Sequence, residues 1–266
     1  MELRDNRKEK IEDQEFSAGL RDTDMSRKEL TRVFAVAQTF VGVSFKQCVF
    51  ISSYFRNCKF IRCDFTGANI KDSNFKGAQF EECGFKYTTW EKTWLDERFL
   101  DTCLPSEENL ARDLVRSLRV NFAQVGNYEA VNKAASIEVK LTGQHLYNAA
   151  YSRQSYYRAK YKGAARFSHA LQHLQWKSLD LLWGNGESII RIIVSGLVVV
   201  LVAAILYMRD TVGVSFQDAF IETLWHFWGV QYLAPMPPLY VALLTVLRFV
   251  IFGLFMAILV KRLSRR

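Results

Sequence analysis

The chain of 266 residues holds five cysteines, at 48, 58, 63, 83 and 103, and no CxxC pair. A structural zinc site normally draws its thiolates from such pairs, so none is expected. Histidines number four, and HALQH at 169–173 has Ala170 where a zinc-protease helix has glutamate. His145, His169 and His173 therefore read as ordinary surface side chains, and no metal or cofactor is implied. Neither a phosphate-cradling glycine loop nor a credible catalytic triad is present, so the chain does not read as an enzyme. The N-terminal stretch MELRDNRKEKIEDQEF has no apolar run, and no secretory signal is expected. No recognised nucleic-acid module accompanies the net charge of +8, so nucleic acid is not expected as a partner. An anionic membrane surface, or the cytoplasmic loops of a membrane protein, fits that charge better.

Charge and hydropathy are unevenly spread. Residues 1–32 read as a charged N-terminal arm, and residues 100–187 as a charged helical linker domain. Residues 188–266 are mostly apolar, which puts the clearest boundary near Gly184–Glu187. Between arm and linker, at 33–99, an unusual periodicity appears. Phe45, Phe50, Phe55, Phe60, Phe65, Ile70, Phe75, Phe80 and Phe85 follow one another at intervals of five. Helices repeat every 3.6 residues and strands every two, so neither explains it. Two positions before each large residue stands a compact one, including Cys48, Ser53, Cys58, Cys63, Ala68, Ser73, Ala78 and Cys83. The cysteines thus belong to a repeat and read as small buried hydrophobes.

IRCDFTGANIKDSNFKGAQF is very similar to the pentapeptide-repeat motif, a small residue two positions before a central Phe or Leu. The resemblance covers about eleven repeats. It implies a right-handed quadrilateral β-helix with one pentapeptide per side, here somewhat under three coils. Open coil ends need covers, and residues 31–39 and Trp90–Phe99 are the expected caps, with Trp90 and Trp94 as a lid. Lysines and arginines on the outer faces (Lys46, Arg56, Lys59, Arg62) argue against the DNA mimicry of long acidic members and leave a surface for a protein partner.

Beyond Pro105, Leu110, Leu114, Leu118 and Phe122 mark one apolar helix face, with Ser106 as N-cap. Gly126–Asn127 predicts a turn, and a second helix runs from about Tyr128 to beyond Tyr147. Tyrosines 156, 157 and 161 alternate with basic residues and suit an anionic lipid surface.

Two membrane spans are predicted, 189–208 and 239–260, with a re-entrant helix at about 215–228 between them. Basic residues flank the spans on one side, while the loop holds only Arg209; this places both termini in the cytoplasm. Gly229 ends the re-entrant pattern and Pro235, Pro237 and Pro238 delay the second span. This order resembles the two-span pore module of potassium-channel-like proteins. WGNGES at 183–188 looks like the junction that precedes such a pore in pentapeptide-repeat proteins with a C-terminal channel domain. The resemblance implies a bacterial inner-membrane protein, a homotetramer, and inorganic ions as cargo. Its filter motif is missing: HFWGVQYL has one glycine and no Gly-Tyr-Gly.

Glu222, His226, Trp228, Gly229, Gln231 and Tyr232 are the pore or filter candidates. Arg248 is an intramembrane charge, expected to line a pore or to pair with Glu222 or another acid, and Gly253 a hinge or close-packing site. Three functions fit the sequence: an oligomeric ion channel with a cytoplasmic repeat domain for sensing or assembly, a membrane-anchored scaffold, and a membrane-depolarising effector.

Overall fold

From Asp22 to Lys92, every fifth residue takes a left-handed backbone, with φ between 44° and 75°. Only three of these corners are glycine, at 42, 67 and 77. Each non-glycine corner costs about 1–2 kcal/mol, so something must hold the chain bent. That something is a parallel ladder. The computed structural model describes residues 8–230 and 236–263. Its first compact unit ends at Tyr161 and its second begins at Lys162.

In the first unit, three-residue strands lie between the corners. They are β1 (Lys10–Glu12), β2 (Glu29–Thr31), β3 (Thr39–Val41), β4 (Val49–Ile51), β5 (Lys59–Ile61), β6 (Asn69–Lys71), β7 (Gln79–Glu81) and β8 (Thr89–Glu91). One parallel sheet orders β1-β2-β4-β6-β8 and the other β3-β5-β7. Phe40 lies opposite Phe60 and Phe50 opposite Ile70, so four pentapeptides make one turn. Single bridges, such as Phe34–Tyr54–Asn74–Trp94, supply the remaining sides. The result is a β-solenoid of about four turns, counted along the five-strand sheet.

Its core is a set of aromatic columns. Phe40, Phe60 and Phe80 stack at 5.0 and 5.1 Å, and Phe45, Phe65 and Phe85 at 5.0 Å per step. Beside them the compact residues do more than fill space. Cys48 Sγ donates to Met25 O (2.9 Å), Ser53 Oγ to Leu30 O (2.9 Å) and Thr88 Oγ1 to Phe65 O (3.0 Å). A short donor here reaches the carbonyl of the neighbouring coil, which a larger side chain would overfill. Burial pushes the Cys48, Cys58 and Cys103 thiols up, away from the reactive thiolate.

Several expectations need correction, the first being the coil count, which is about four and not somewhat under three. Residues 10–31, expected as a charged arm, form β1 and β2 and pair with the rest of the ladder. Charges on the outward positions conceal the inward Ile11, Phe16, Leu20, Met25 and Leu30. The step from Phe16 to Leu20 is four residues, which breaks the phase: β1 pairs with β2 nineteen residues on, not twenty. Residues 31–39 are consequently mid-solenoid and no cap. At the other end, Trp90 belongs to β8 and Trp94 is half exposed, so neither is a lid.

The lid is helical. Helix α1 (Phe99–Thr102) puts the Phe99 ring 4.7 Å from Phe85 and 5.3 Å from Trp90. Helix α2 (Glu108–Gln124) then satisfies the open edge with side chains. Ser117 Oγ accepts from Trp90 N–H (2.9 Å) and Gln124 from Lys92 N–H (2.8 Å). Asn121, fully buried, accepts from Thr93 N–H (2.7 Å) and donates to Thr93 O (2.8 Å). The expected apolar face of α2 packs inward: Leu114, Leu118 and Phe122 are buried.

Ser106 does not cap α2; its hydroxyl turns to the Glu107 carboxylate (3.2 Å). Asn127 caps α3 (Tyr128–Tyr151), accepting from Ala130 N–H (3.1 Å). Nor is His145 an ordinary surface side chain. Its Nδ1 lies 3.0 Å from buried Glu108, which also accepts from Asn148 (2.6 Å) and from the Tyr157 hydroxyl. Burial, then the Glu108 carboxylate, pushes the Tyr157 phenol well above its usual range. These bonds tie α4 (Ser155–Lys160) and the end of the first unit to α2.

Candidate functional site

The second unit comprises α5 (Gly163–Trp183), a single tight turn at Gly184–Gly186, α6 (Ile189–Asp210), α7 (Phe216–Trp228) and α8 (Pro238–Leu263). At 1.5 Å per residue, the 22 residues of α6 extend about 33 Å, enough for a ~30 Å hydrocarbon layer. α6 and α8 are both long and apolar enough to cross a membrane. Only 22% of the apolar window of α6 and 11% of that of α8 is buried. A soluble protein's core helix would hide most of such a stretch.

The two helices form a hairpin, pinned at both ends by polar contacts. Lys261, late in α8, donates to Gly186 O (3.2 Å) and pairs with Glu187, just before α6. At the opposite end the Tyr240 hydroxyl bonds to Asp210. Ser188 caps α6, accepting from Arg191 N–H (3.3 Å). Arg191 pairs with Asp180 (2.7 Å).

α7 lies between them. Ser215 caps its start, accepting from Asp218 N–H (3.2 Å). The far end of α7 reaches the middle of its neighbours: Phe227 and Trp228 share an apolar groove of about 660 Å³ with Gly196 and Val200 of α6 and Phe252 of α8. The helix is turned inside out. Ala219, Glu222 and Thr223 are buried, with His226 on the same face, while Phe216, Trp225 and Trp228 are exposed. Glu222 Oε1 lies 3.3 Å from His226 Nε2. The Thr223 hydroxyl finds no hydrogen-bond partner among the described residues.

At the tip, Gly229 has φ of 87° and closes the helix. The backbone angle demands glycine, and a Cβ there would fall 2.3 Å from Arg248 Nη1, so a side chain would also have to displace the end of that flexible arginine. The Arg248 guanidinium also lies 5.0 Å from the centre of the Phe249 ring. Its expected pairing with Glu222 does not occur, and no carboxylate pairs with Arg248 among the described residues. The guanidinium instead sits where α7 presents its negative dipole end, a favourable place for a cation.

Of the residues singled out from sequence, the fold thus brings together Glu222 with His226, and Gly229 with Arg248. Gln231 and Tyr232 lie outside the described residues. α8 runs unbroken through Gly253, where an added Cβ would meet nothing within 4 Å; no close packing within the chain explains this glycine. Sequence reading missed Asp180, Glu187 and Lys261 as the polar clasp of the hairpin. The signal was present: Ser188 precedes an apolar run as an N-cap should, and Lys261 follows one.

Residues 45–89 match the family model of pentapeptide repeats, in nine copies. No curated protein matches the chain. Among solved structures, the chain is similar to trypsin-treated QnrB1, a plasmid-mediated fluoroquinolone resistance protein. That likeness has 17% identity and a TM-score of 0.15, and it covers 31% of this chain and 56% of that one. The chain therefore spans just over half of that structure's length, and nothing is transferred from it. The family match agrees with the coil register: the N-terminal region is a pentapeptide-repeat β-solenoid.

Proposed function

We propose that this protein is an oligomeric ion-conducting pore of a bacterial inner membrane. In this reading α6 and α8 span the bilayer, both termini lie in the cytoplasm, and the solenoid serves sensing or assembly. The observation that carries it is α7, a helix that enters between two apolar helices, ends at mid-depth and keeps its polar face inward. A pure membrane anchor has no use for such an element. Polar groups held inside a lipid-facing bundle commonly mark ion paths.

Four copies arranged around α7 would ring the axis with the Gly229 end of that helix. The sequence there has no Gly-Tyr-Gly, so selectivity for potassium is not part of the proposal. The same gap favours a second reading, a nonselective pore that depolarises the cell. Liposomes loaded with an ion-sensitive dye and with a larger marker dye separate the two. Selective flux without marker loss supports the channel, and marker release supports the depolarising effector. A chain that inserts but passes neither is a scaffold. Replacing Glu222 by Gln should change ion preference; unchanged flux and preference would remove it from the pore.

A further inference from the structure

α5 is built the wrong way round for a soluble helix. None of its residues is fully buried. Its exposed side carries Phe167, Leu171, Leu174 and Leu181, at 66, 52, 61 and 77% exposure. At 100° per residue these four positions fall on one face. On the opposite face stand His169, His173, Trp176 and Asp180, all of them half-buried. The apolar stripe therefore points away from the protein and the polar face towards it.

We propose that α5 lies on the membrane surface, with this stripe sunk into the lipid at the cytoplasmic end of α6. The inference rests on α6 and α8 spanning the bilayer. Two observations name lipid as the occupant. First, α5 is locked to the entry of α6. Leu182 O accepts from Ser195 Oγ (2.8 Å), and Asp180 holds Arg191 through both its carboxylate and its carbonyl. The chain reverses between the helices through three consecutive left-handed residues, Gly184, Asn185 and Gly186. This fixes α5 beside the first two turns of α6, whose exposed residues other than Arg191 are apolar, rather than in line with it. Second, helical spacing puts the exposed Lys177 along one border of the stripe, where a long cationic side chain reaches anionic headgroups.

The test places a photoreactive benzoylphenylalanine in the full chain, reconstituted into vesicles of phosphatidylcholine and phosphatidylglycerol. One set of variants carries it at Phe167, Leu171 or Leu174, and the other at Gln172 or Gln175. Lipid adducts, read by mass spectrometry, should exceed those at the glutamine positions by about fivefold or more, since only the stripe is immersed. Equal adducts at both sets would show a solvated helix and overturn the proposal. Chain-to-chain dimers as the main product of the stripe variants would overturn it too, because a second copy would then cover the face. A chain that does not float with the vesicles removes the membrane reading itself. Floating chains without stripe–lipid adducts remove only this inference.

Discussion

The two units of this chain expose opposite chemistry. In the solenoid, phenylalanines fill the interior, and the outer positions carry ion pairs such as Lys59–Glu81 and Lys71–Glu91. In the helical unit, Glu222 and Thr223 are inside, while Leu, Val and Phe side chains of α6 and α8 are outside. The hydrophobic effect explains the first arrangement in water. The second suits apolar surroundings such as the proposed membrane, since exposed apolar area in water is penalised by about 25 cal/mol per Å². On the proposed membrane reading one chain is written for two solvents, and the change occurs between Tyr161 and Ile189.

The largest expected effect comes from breaking the aromatic interior of the first unit. Phe60 contacts ring partners above and below it, at 5.0 and 5.1 Å. Phe60→Ala should cost about 3–5 kcal/mol, read from denaturant unfolding followed by near-ultraviolet circular dichroism. Far-ultraviolet helix signal from the second unit should survive where the solenoid signal is lost. Simultaneous loss of both would show that the units do not unfold separately.

Next comes the helical cap. Asn121→Ala leaves the Thr93 N–H and carbonyl buried without partners, a loss of about 1–3 kcal/mol. Asn121→Asp keeps the acceptor but sets a buried carboxylate against the Thr93 carbonyl, so at neutral pH it should lose at least as much. If both variants unfold like the parent chain, α2 is a neighbour of the last coil and not its cap.

Much of this was legible in the sequence, for different reasons in each unit. The period of five exposes the coil because the central inward residue of every repeat is large and apolar from Phe40 to Phe85. It fades before Ala35 and Met25, and the four-residue step after Phe16 removes it altogether, which hid the first coils. The cap was hidden as well, since Ser117, Asn121 and Gln124 act through backbone groups that no side-chain pattern displays. In the helical unit, span lengths and the ends of α7 follow from hydropathy, Ser215 and Gly229. What sequence does not give is depth. That the tip of α7 meets Arg248 rather than an acid depends on how far the helix slides between its neighbours.

A smaller effect distinguishes the corners of the solenoid from an ordinary helix. Arg62 at a corner and Lys140 in α3 are both exposed, and neither side chain has a hydrogen-bond or ion-pair partner among the described residues. Lys140→Gly should cost about 0.5–1 kcal/mol, the usual penalty of glycine in a helix. Arg62 has φ of 52°, so Arg62→Gly relieves the corner while loosening the unfolded chain, and the two effects should cancel to within about 0.5 kcal/mol. Equal destabilisation at both sites would mean that the corners are not strained.

The smallest expected effect bears on the first coil, where the charged sequence most resembles a solvated arm. Arg32 Nε donates to Asp13 Oδ1 (2.6 Å), and its Nη2 reaches Glu12 as well as Asp13. The hydrogen bond from Arg32 holds the Asp13 carboxyl below its ordinary value. A depressed carboxyl contributes stability above its unfolded pKa, near 3.9, and loses that contribution as pH falls through its lower folded value. The pair is exposed, so the contribution is slight and salt-sensitive. Between about pH 6 and pH 3 the parent chain should therefore lose slightly more stability than Asp13→Asn, the gap closing in about 1 M salt. A gap that stays constant with pH would place residues 10–13 in the unfolded-like arm that their composition suggests. A gap that narrows towards acid places them in the ladder, where β1 pairs with β2.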